Sequence, residues 1–374
     1  MSILDANGAS WNPRYELLDG LRGLAALSVV LHHMGVVNAG HLSVMIFFVI
    51  SGYCITASAE SCRRSGGGFG VFMSRRVKRI YPPYLLAIAF FALTRAARAI
   101  LDPGNDFRRP FLDWVQNLTL TQWISDLFHP VHWPAQNPKL FVAAFWSLNY
   151  EEQFYLVMGV GLAVSMRLGV PMIIPVLSLG AVGLIWNWMI PGNWICGLFI
   201  EYWAHFALGS CLFFVLCQYP NARYRQMFCG AVLFLGLACG GRLILGNTID
   251  YDGQRAIIEL LLLAAVTLAL FFLRPLSPRI SISLLWRPIA ALGTISYSLY
   301  LVHQFNLRMV SLIAHRLTPA GSPHVVLLAA IVSLHLLVAT LFWHFCERPF
   351  LRRKPQRPEG ILAVHDGTRV VQSP

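Results

Sequence analysis

Apolar runs long enough to cross a membrane recur along this 374-residue chain and limit its possible folds more than any other feature. Hydrophobic residues make up 56% of the chain, charged residues only 12%, and the mean hydropathy is +0.59, which is typical of membrane proteins rather than soluble domains. A helix of about 20 apolar residues crosses a hydrocarbon core of about 30 Å. We count ten such runs, at 21–37, 42–59, 83–101, 140–165, 170–190, 196–217, 227–246, 256–273, 288–312 and 325–346.

These runs predict an all-α, polytopic bundle of transmembrane helices, because backbone polar groups in lipid must pair with one another. If the N-terminus is cytoplasmic, nineteen Lys and Arg residues fall in cytoplasmic segments and five in external ones. The positive-inside rule then places both termini in the cytoplasm, in agreement with an even number of spans. We expect residues 1–352 to form one membrane domain and residues 353–374 to form a disordered cytoplasmic tail.

The formal net charge of +12 follows this topology, so it does not indicate a nucleic-acid partner. Membrane lipids are the partners that the composition does indicate. The eight cysteines lack the paired spacing of a metal site, and we expect no metal cofactor. Nothing in the sequence indicates an oligomeric state.

The first run carries ionisable residues among apolar ones: Asp19, Arg22 and His33. Eleven residues separate Arg22 from His33, which is three helical turns plus about 20°, so the two side chains share a face about 16 Å apart. Ionisable groups inside a membrane segment are costly and mark a functional path by default. In the alternative interpretation, Arg22 extends toward the headgroups and His33 hydrogen-bonds a neighbouring helix.

A strongly basic segment separates the second and third runs. Arg75, Arg76, Lys78 and Arg79 follow a glycine-rich stretch, and we expect the next helix to begin at the Pro82–Pro83 pair. A basic cytoplasmic segment satisfies the topology rule and attracts anionic lipid. It also suits a polyphosphate ligand, since arginine binds phosphate in a bidentate manner and glycine lets the backbone approach closely.

Polar groups also lie within later runs. Glu151 and Glu152 are adjacent in the fourth run, and because neighbouring helical residues point about 100° apart, we expect only one of them to face a central cavity. In the ninth run, Ser296, Tyr300 and His303 are spaced to share one face.

The external loop at 102–139 carries Trp114, Trp123 and Trp133. These rings suit either an aromatic belt at the membrane surface or a platform for a carbohydrate.

Six segments in order resemble the acyltransferase 3 family of integral membrane O-acyltransferases, and the resemblance covers residues 14–352. The matching segments are LDGLRGLAAL with the spacing of Arg22 and His33, FFVISGY at 47–53, RRVKRIYPPY at 75–84, WSLNYEEQFY at 146–155, ISYSLYLVH at 295–303 and ERP at 347–349. We expect Ser51 in FFVISGY to serve helix packing rather than nucleophilic attack, because no base stands at a fixed local offset from it.

The resemblance implies transfer of an acyl group, usually acetyl, from cytoplasmic acyl-CoA to a hydroxyl of a sugar, a cell-surface polysaccharide, lipopolysaccharide, a signalling oligosaccharide or a macrolide glycoside. It also implies an integral protein of the bacterial inner membrane. Many members carry an additional C-terminal esterase-like domain outside the cytoplasm. This sequence shows none, so we expect another protein to perform that step where it occurs.

For this reaction we predict His33 as the general base and Arg22 as a ligand of the donor, with Glu151 either orienting His33 or pairing with Arg22. The remaining predicted site residues form two sets. Arg75, Arg76, Arg79 and Tyr84 would bind the acyl-CoA, and Asp19, Trp146, Tyr155, Tyr297, Tyr300 and His303 would line the acceptor cavity. A transporter or flippase is the alternative, since buried Arg, Glu and His residues in a ten-span bundle also suit translocation.

Overall fold

The computed structural model describes residues 13–101, 109–128, 131–132, 140–178, 182, 185, 194–195, 197–219, 221–245, 251–319 and 321–351. The principal helices are α1 (Glu16–His33), α2 (Gly40–Arg64), α3 (Phe69–Leu101), α4 (Phe111–Thr119), α5 (Gln122–Phe128), α6 (Trp146–Leu168), α7 (Trp203–Phe213), α8 (Ala222–Leu245), α9 (Tyr251–Leu273), α10 (Trp286–Leu317) and α11 (His324–Phe342).

Short elements connect or extend these helices. Ala143–Phe145 forms a 3₁₀ turn directly before α6, while the π-helical stretches Phe214–Gln218 and Trp343–Glu347 extend α7 and α11. Val131–His132 pairs antiparallel with Trp194–Ile195, the one short sheet within the described ranges.

The helical architecture confirms the predicted all-α class. Four helical segments of the described chain are long and apolar enough to cross a membrane by length and composition: Gly40–Arg64, Phe69–Ala97, Ile257–Ser281 and His324–Phe350. The ten-span topology and the cytoplasmic termini therefore stay predictions, and the predicted tail at 353–374 lies outside the described residues.

The expected start of the third helix is wrong. Helix α3 begins at Phe69 and runs through Pro82 and Pro83 without a break. The two prolines lack the N–H groups that would pair with the carbonyls of Lys78 and Arg79, and these two residues lie in an exposed part of the helix. Because α3 already begins at Phe69, the basic residues Arg75 to Arg79 are helical rather than part of a loop.

Glycines bring two pairs of helices into backbone contact. A Cβ on Gly293 of α10 would lie 1.9 Å from the carbonyl oxygen of Asp19, and one on Gly209 of α7 would lie 1.8 Å from that of Val49. Gly23 faces Gly293 in the same way, and Gly52 faces the Phe206 carbonyl. Small residues permit such approach in membrane bundles, so α1 is fixed against α10 and α2 against α7.

The described part of the 102–139 loop packs onto α3. Asn117 is fully buried, its Nδ2 donates to the Asp113 carbonyl over 2.7 Å, and its Oδ1 accepts the Phe141 backbone N–H over 3.0 Å. The Trp114 ring packs edge-on against Phe141, with centroids 4.5 Å apart. Trp114 is thus engaged by the protein itself, whereas Trp133 lies outside the described residues.

Candidate active site

Helix α1 directs Arg22 toward α2. Its Nη2 lies 3.6 Å from the Cys54 Sγ, and its Nη1 lies 4.0 Å from the Asp19 Oδ1, while its side chain is only 21% exposed. The guanidinium therefore lies between α2 and the Asp19 carboxylate, and both interpretations of Arg22 stay predictions.

His33 ends α1 and lies beside a histidine of α10. The ring centroids of His33 and His303 are 5.1 Å apart, with 37° between the ring planes. His303 is buried, and its Nδ1 lies 2.8 Å from the Tyr300 carbonyl oxygen. Because a carbonyl only accepts, Nδ1 carries the proton, which leaves Nε2 of a neutral ring as an acceptor. Among the described residues this Nε2 has no hydrogen-bond partner.

Tyr300 joins this histidine pair to the start of α6. Its hydroxyl lies 2.7 Å from the Ser147 Oγ and donates to the Ala144 carbonyl. The Gln304 Oε1 accepts the Ala144 N–H over 2.7 Å. The 3₁₀ turn before α6 is therefore held by one helical turn of α10, next to His303.

The first acidic residue of α6, Glu151, faces α2. Ser51 donates to its Oε1 over 3.1 Å and Tyr155 donates to the same oxygen over 2.5 Å. The hydrogen bonds of Glu151 are therefore to Ser51 and Tyr155, and both roles that the sequence left open for this carboxylate stay predictions.

The second acidic residue, Glu152, faces α3, where Tyr81 donates to its Oε1. Both carboxylates line one cleft between α3 and α6. The expectation that only one of them faces a central cavity stays a prediction. The cleft extends far enough around α6 to contact both side chains. Its lining residues are Met73, Arg76, Val77, Ile80, Tyr81, Leu120, Leu148, Glu151, Glu152 and Tyr155.

The basic segment divides between this cleft and the surface. Arg76 enters the cleft, donates from Nη2 to the Ser58 Oγ, and places its guanidinium carbon 5.9 Å from the Tyr155 ring centroid. Arg75 is half-buried, whereas Lys78 and Arg79 are exposed. The four charges therefore do not form one uniform surface patch.

Two further predicted site residues, Tyr84 and Tyr297, have their hydroxyl groups bound to backbone carbonyls. Tyr84 is fully buried, donates to the Asn117 carbonyl over 2.5 Å and packs against Phe145. Its ring and hydroxyl are thus both engaged by the protein, and its contact with acyl-CoA stays a prediction. Tyr297 donates to the Ile80 carbonyl over 3.1 Å and so faces α3, whereas Tyr300 faces α6.

Sequence reasoning missed a polar network where α2 and α6 begin. His41 Nδ1 lies 2.6 Å from the Glu259 Oε2, and the Arg255 Nε lies 3.3 Å from the Glu259 Oε1. The His41 ring stacks on Trp146, with centroids 5.9 Å apart. The signal was present, because Glu259 is an acidic residue inside the apolar run at 256–273. Within the described ranges, no three His, Cys, Asp or Glu side chains converge as metal ligands.

Comparison with known proteins assigns the chain to a family. A family model described as an acyltransferase domain, Acyl_transf_3, matches residues 15–344. The O-acetyltransferase OatA of Staphylococcus aureus (strain NCTC 8325 / PS 47) is 31% identical over 163 residues, which cover 39% of this chain and 24% of that protein.

A Bacillus subtilis (strain 168) protein with the provisional name peptidoglycan O-acetyltransferase YrhL is 26% identical over 390 residues, covering 89% of this chain and 54% of that protein. The chain thus spans 24% to 54% of the length of these two curated relatives. No solved structure matches the chain. Since the family model covers nearly all of it, the chain belongs to the acyltransferase 3 family.

Proposed function

We propose that this chain is a membrane O-acetyltransferase that moves an acetyl group from cytoplasmic acyl-CoA to a hydroxyl group of a glycan. Family membership supports an acyl donor, and the names of the two relatives support O-acetylation. Peptidoglycan appears in the name of one relative and is therefore the first acceptor to test. Other cell-surface polysaccharides and glycosides are alternative acceptors.

The observation that carries this proposal is the histidine pair where α1 ends. His33 and His303 lie with their ring centroids 5.1 Å apart, and the Nε2 of His303 is an unpaired acceptor within the described structure. A neutral imidazole is the least costly base to keep inside a membrane, and it titrates near neutral pH in its ordinary state. We assign the role of general base to His33, with His303 beside it.

The reaction needs no reactant besides the acceptor hydroxyl and the acyl-CoA thioester. His33 takes the proton of the acceptor hydroxyl, the hydroxyl oxygen attacks the thioester carbonyl carbon, and the tetrahedral intermediate collapses with cleavage of the C–S bond. The proton then passes from His33 to the departing CoA sulfur. We favour direct transfer over an acyl-histidine intermediate, which would give ping-pong kinetics and a labelled protein.

Arg22 supplies positive charge on the same helix as the base, about 16 Å away along the axis. In this proposal it binds the phosphates or the thioester region of the donor, while Asp19, whose Oδ1 lies 4.0 Å from the Arg22 Nη1, orients its guanidinium. Arg79 and Lys78, which are exposed, bind the nucleotide end.

The test is transfer of label from acetyl-labelled acetyl-CoA in membranes that contain equal amounts of each variant. We expect label in the glycan fraction with the wild type, and a loss of at least about 100-fold with His33→Ala. His315→Ala is the matched control, because His315 is an exposed histidine on the same helix as His303.

Equal labelling by wild type and His33→Ala would remove His33 as the base while leaving the enzyme class intact. A wild-type protein that consumes no acetyl-CoA in the presence of glycan would instead favour the transporter alternative, because translocation needs no acyl donor.

A further inference from the structure

His33 and His303 reach the same level of the bundle because α1 and α10 run side by side. A Cβ on Gly23 would lie 2.5 Å from the Gly293 backbone nitrogen, so the two helices touch at these glycines. Ten residues separate Gly23 from His33, and ten separate Gly293 from His303. Both stretches are helical and rise about 15 Å, and at their ends the two histidine ring centroids lie 5.1 Å apart. The two helices are therefore parallel, and their packing sets the distance between the rings.

The tautomer of His303 is fixed by its own helix. Its Nδ1 donates to the Tyr300 carbonyl over 2.8 Å, so its other ring nitrogen, Nε2, is an acceptor. The residue is 1% exposed, and within the described part of the chain this Nε2 has no hydrogen-bond partner. Since about nine in ten buried polar groups in proteins are paired, an acceptor without a donor next to His33 indicates a contact that completes it.

His33 is the group best placed to donate to this nitrogen. Two imidazoles joined edge to edge by one N–H···N hydrogen bond of about 3 Å have centres about 5 Å apart, because each nitrogen lies about 1 Å from its ring centre. The observed separation of 5.1 Å matches this value and leaves no space for a water molecule between rings in that orientation. His33 is half-buried and the torsion that turns its ring is soft, so its N–H can point at Nε2.

A second histidine, His32, also lies near the base but is solvated. Its ring centroid is 5.3 Å from that of His33, and its Nδ1 lies 3.1 Å from the Val37 carbonyl oxygen. Its side chain is half-buried rather than enclosed, so water can pair with its ring. His32 therefore matches His303 in its distance from His33 and in its bond to a backbone carbonyl, and differs from it in burial.

We propose that His303 is a positioning residue for the base: its Nε2 accepts one N–H of His33 and leaves the other His33 nitrogen free to take the proton of the acceptor hydroxyl. This assignment rests on the proposed function for the identity of the reaction. Once His33 has taken that proton, both of its nitrogens carry N–H, and His303, which stays neutral, keeps one of them paired. The proton then leaves to the CoA sulfur, and His303 ends the cycle unchanged.

Two substitutions separate the two ring nitrogens of His303. A Gln side chain places its amide oxygen near the position of Nε2, whereas an Asn side chain reaches only the position of Nδ1. We expect His303→Asn to lower kcat for acetyl transfer about 30-fold, the effect of one hydrogen bond to a charged group, without a change in the KM for acetyl-CoA. His303→Gln keeps an acceptor and should stay within about fivefold of the wild type in kcat.

The same pair of changes at His32 is the matched control. His32→Asn and His32→Gln should both leave kcat close to that of the wild type, because water already pairs with this ring. Melting temperatures of all four variants are measured on the same preparations. A loss of stability common to both His303 variants lowers both rates and does not separate them. A large difference between the two His32 variants, and none between the two His303 variants, would make His32 the partner of His33 instead.

A measurement without turnover tests the contact itself. In the full chain labelled with ¹⁵N in its histidine rings, an N–H···N hydrogen bond gives a magnetic coupling between two ring nitrogens. We expect this coupling in the wild type, its loss in His33→Ala and in His303→Asn, and its retention in His32→Gln.

The assignment falls if the coupling is absent from the wild type, or if His303→Asn and His303→Gln transfer acetyl equally well. Either result would leave Nε2 to a water molecule and His303 to packing. The proposed function fails separately. If the coupling is present but the wild type acetylates no glycan, the contact between the two histidines stands and the acetyltransferase proposal falls. Acetyl transfer by a wild type that lacks the coupling gives the reverse.

Discussion

Two carboxylates in apolar helices, Glu259 on α9 and Glu152 on α6, have opposite surroundings. Both oxygens of Glu259 are occupied, by His41 at 2.6 Å and by Arg255 at 3.3 Å. Glu152 has one oxygen paired with Tyr81 and one without a partner in the described structure. A charged residue inside a bundle of helices is therefore not by itself evidence of a binding site. A saturated carboxylate joins helices, and an unsaturated one is available to a ligand.

The largest effect on stability should come from Glu259→Ala. The substitution leaves His41 and Arg255 without their shared carboxylate, and we expect it to lower the free energy of unfolding by about 3 kcal/mol. Denaturation in mixed micelles measures this loss, with Arg255→Gln as a milder companion variant. A stability equal to that of the wild type would show that Glu259 does not join α2 to α9.

Tyr150→Phe tests a second saturated contact near the same end of the bundle. The Tyr150 hydroxyl donates to the Glu201 Oε2 over 2.6 Å, and this charge-assisted bond should contribute about 2 kcal/mol. We expect the loss in unfolding experiments and unchanged CoA binding. A weaker CoA affinity would place this contact in the donor site. It would then no longer be a purely structural contact like that of Glu259.

Ser51→Ala removes one of two donors to Glu151. Tyr155 still donates to the same carboxyl oxygen, so we expect a loss of about 1 kcal/mol in stability and readily measurable acetyl transfer. Rate and melting temperature are measured on the same preparation. Complete loss of transfer in a folded protein would make Ser51 a participant in the chemistry rather than a packing residue.

The smallest effect on stability should come from Glu152→Leu. The substitution removes a buried carboxylate with an unpaired oxygen, and the Tyr81 hydroxyl keeps a second acceptor in the Thr119 carbonyl at 3.1 Å. We expect the ligand-free protein to change by less than about 0.5 kcal/mol, or to become more stable. A loss comparable to that of Glu259→Ala would mean that both carboxylates serve the fold.

The sequence was sufficient for the features that depend on local spacing. The ionisable residues of α1, the polar face of α10 and the order of the six matching segments are all readable along the chain. The family follows from those segments, because residue type and order are what a family model compares.

Features that depend on the packing of distant segments were not predictable. His41 and Glu259 are 218 residues apart, so no local pattern pairs them. The prolines of α3 suggested a helix start, and only the exposed surroundings of Lys78 and Arg79 show why the helix continues. Tyr84 follows Arg79 by five residues, but its burial against Phe145 depends on a segment more than fifty positions away.

The glycine contacts determine which helices are held rigidly against each other. Where backbone meets backbone, as at Gly293 against Asp19, no side chain can change rotamer to absorb a shift, so α1 and α10 move as one rigid body. Arg22, His33 and His303 all lie on these two helices, so we expect the same contact to hold their relative positions. Helix α3 meets a glycine of α6 through side chains instead, because a Cβ on Gly159 would lie 2.9 Å from the Phe69 ring.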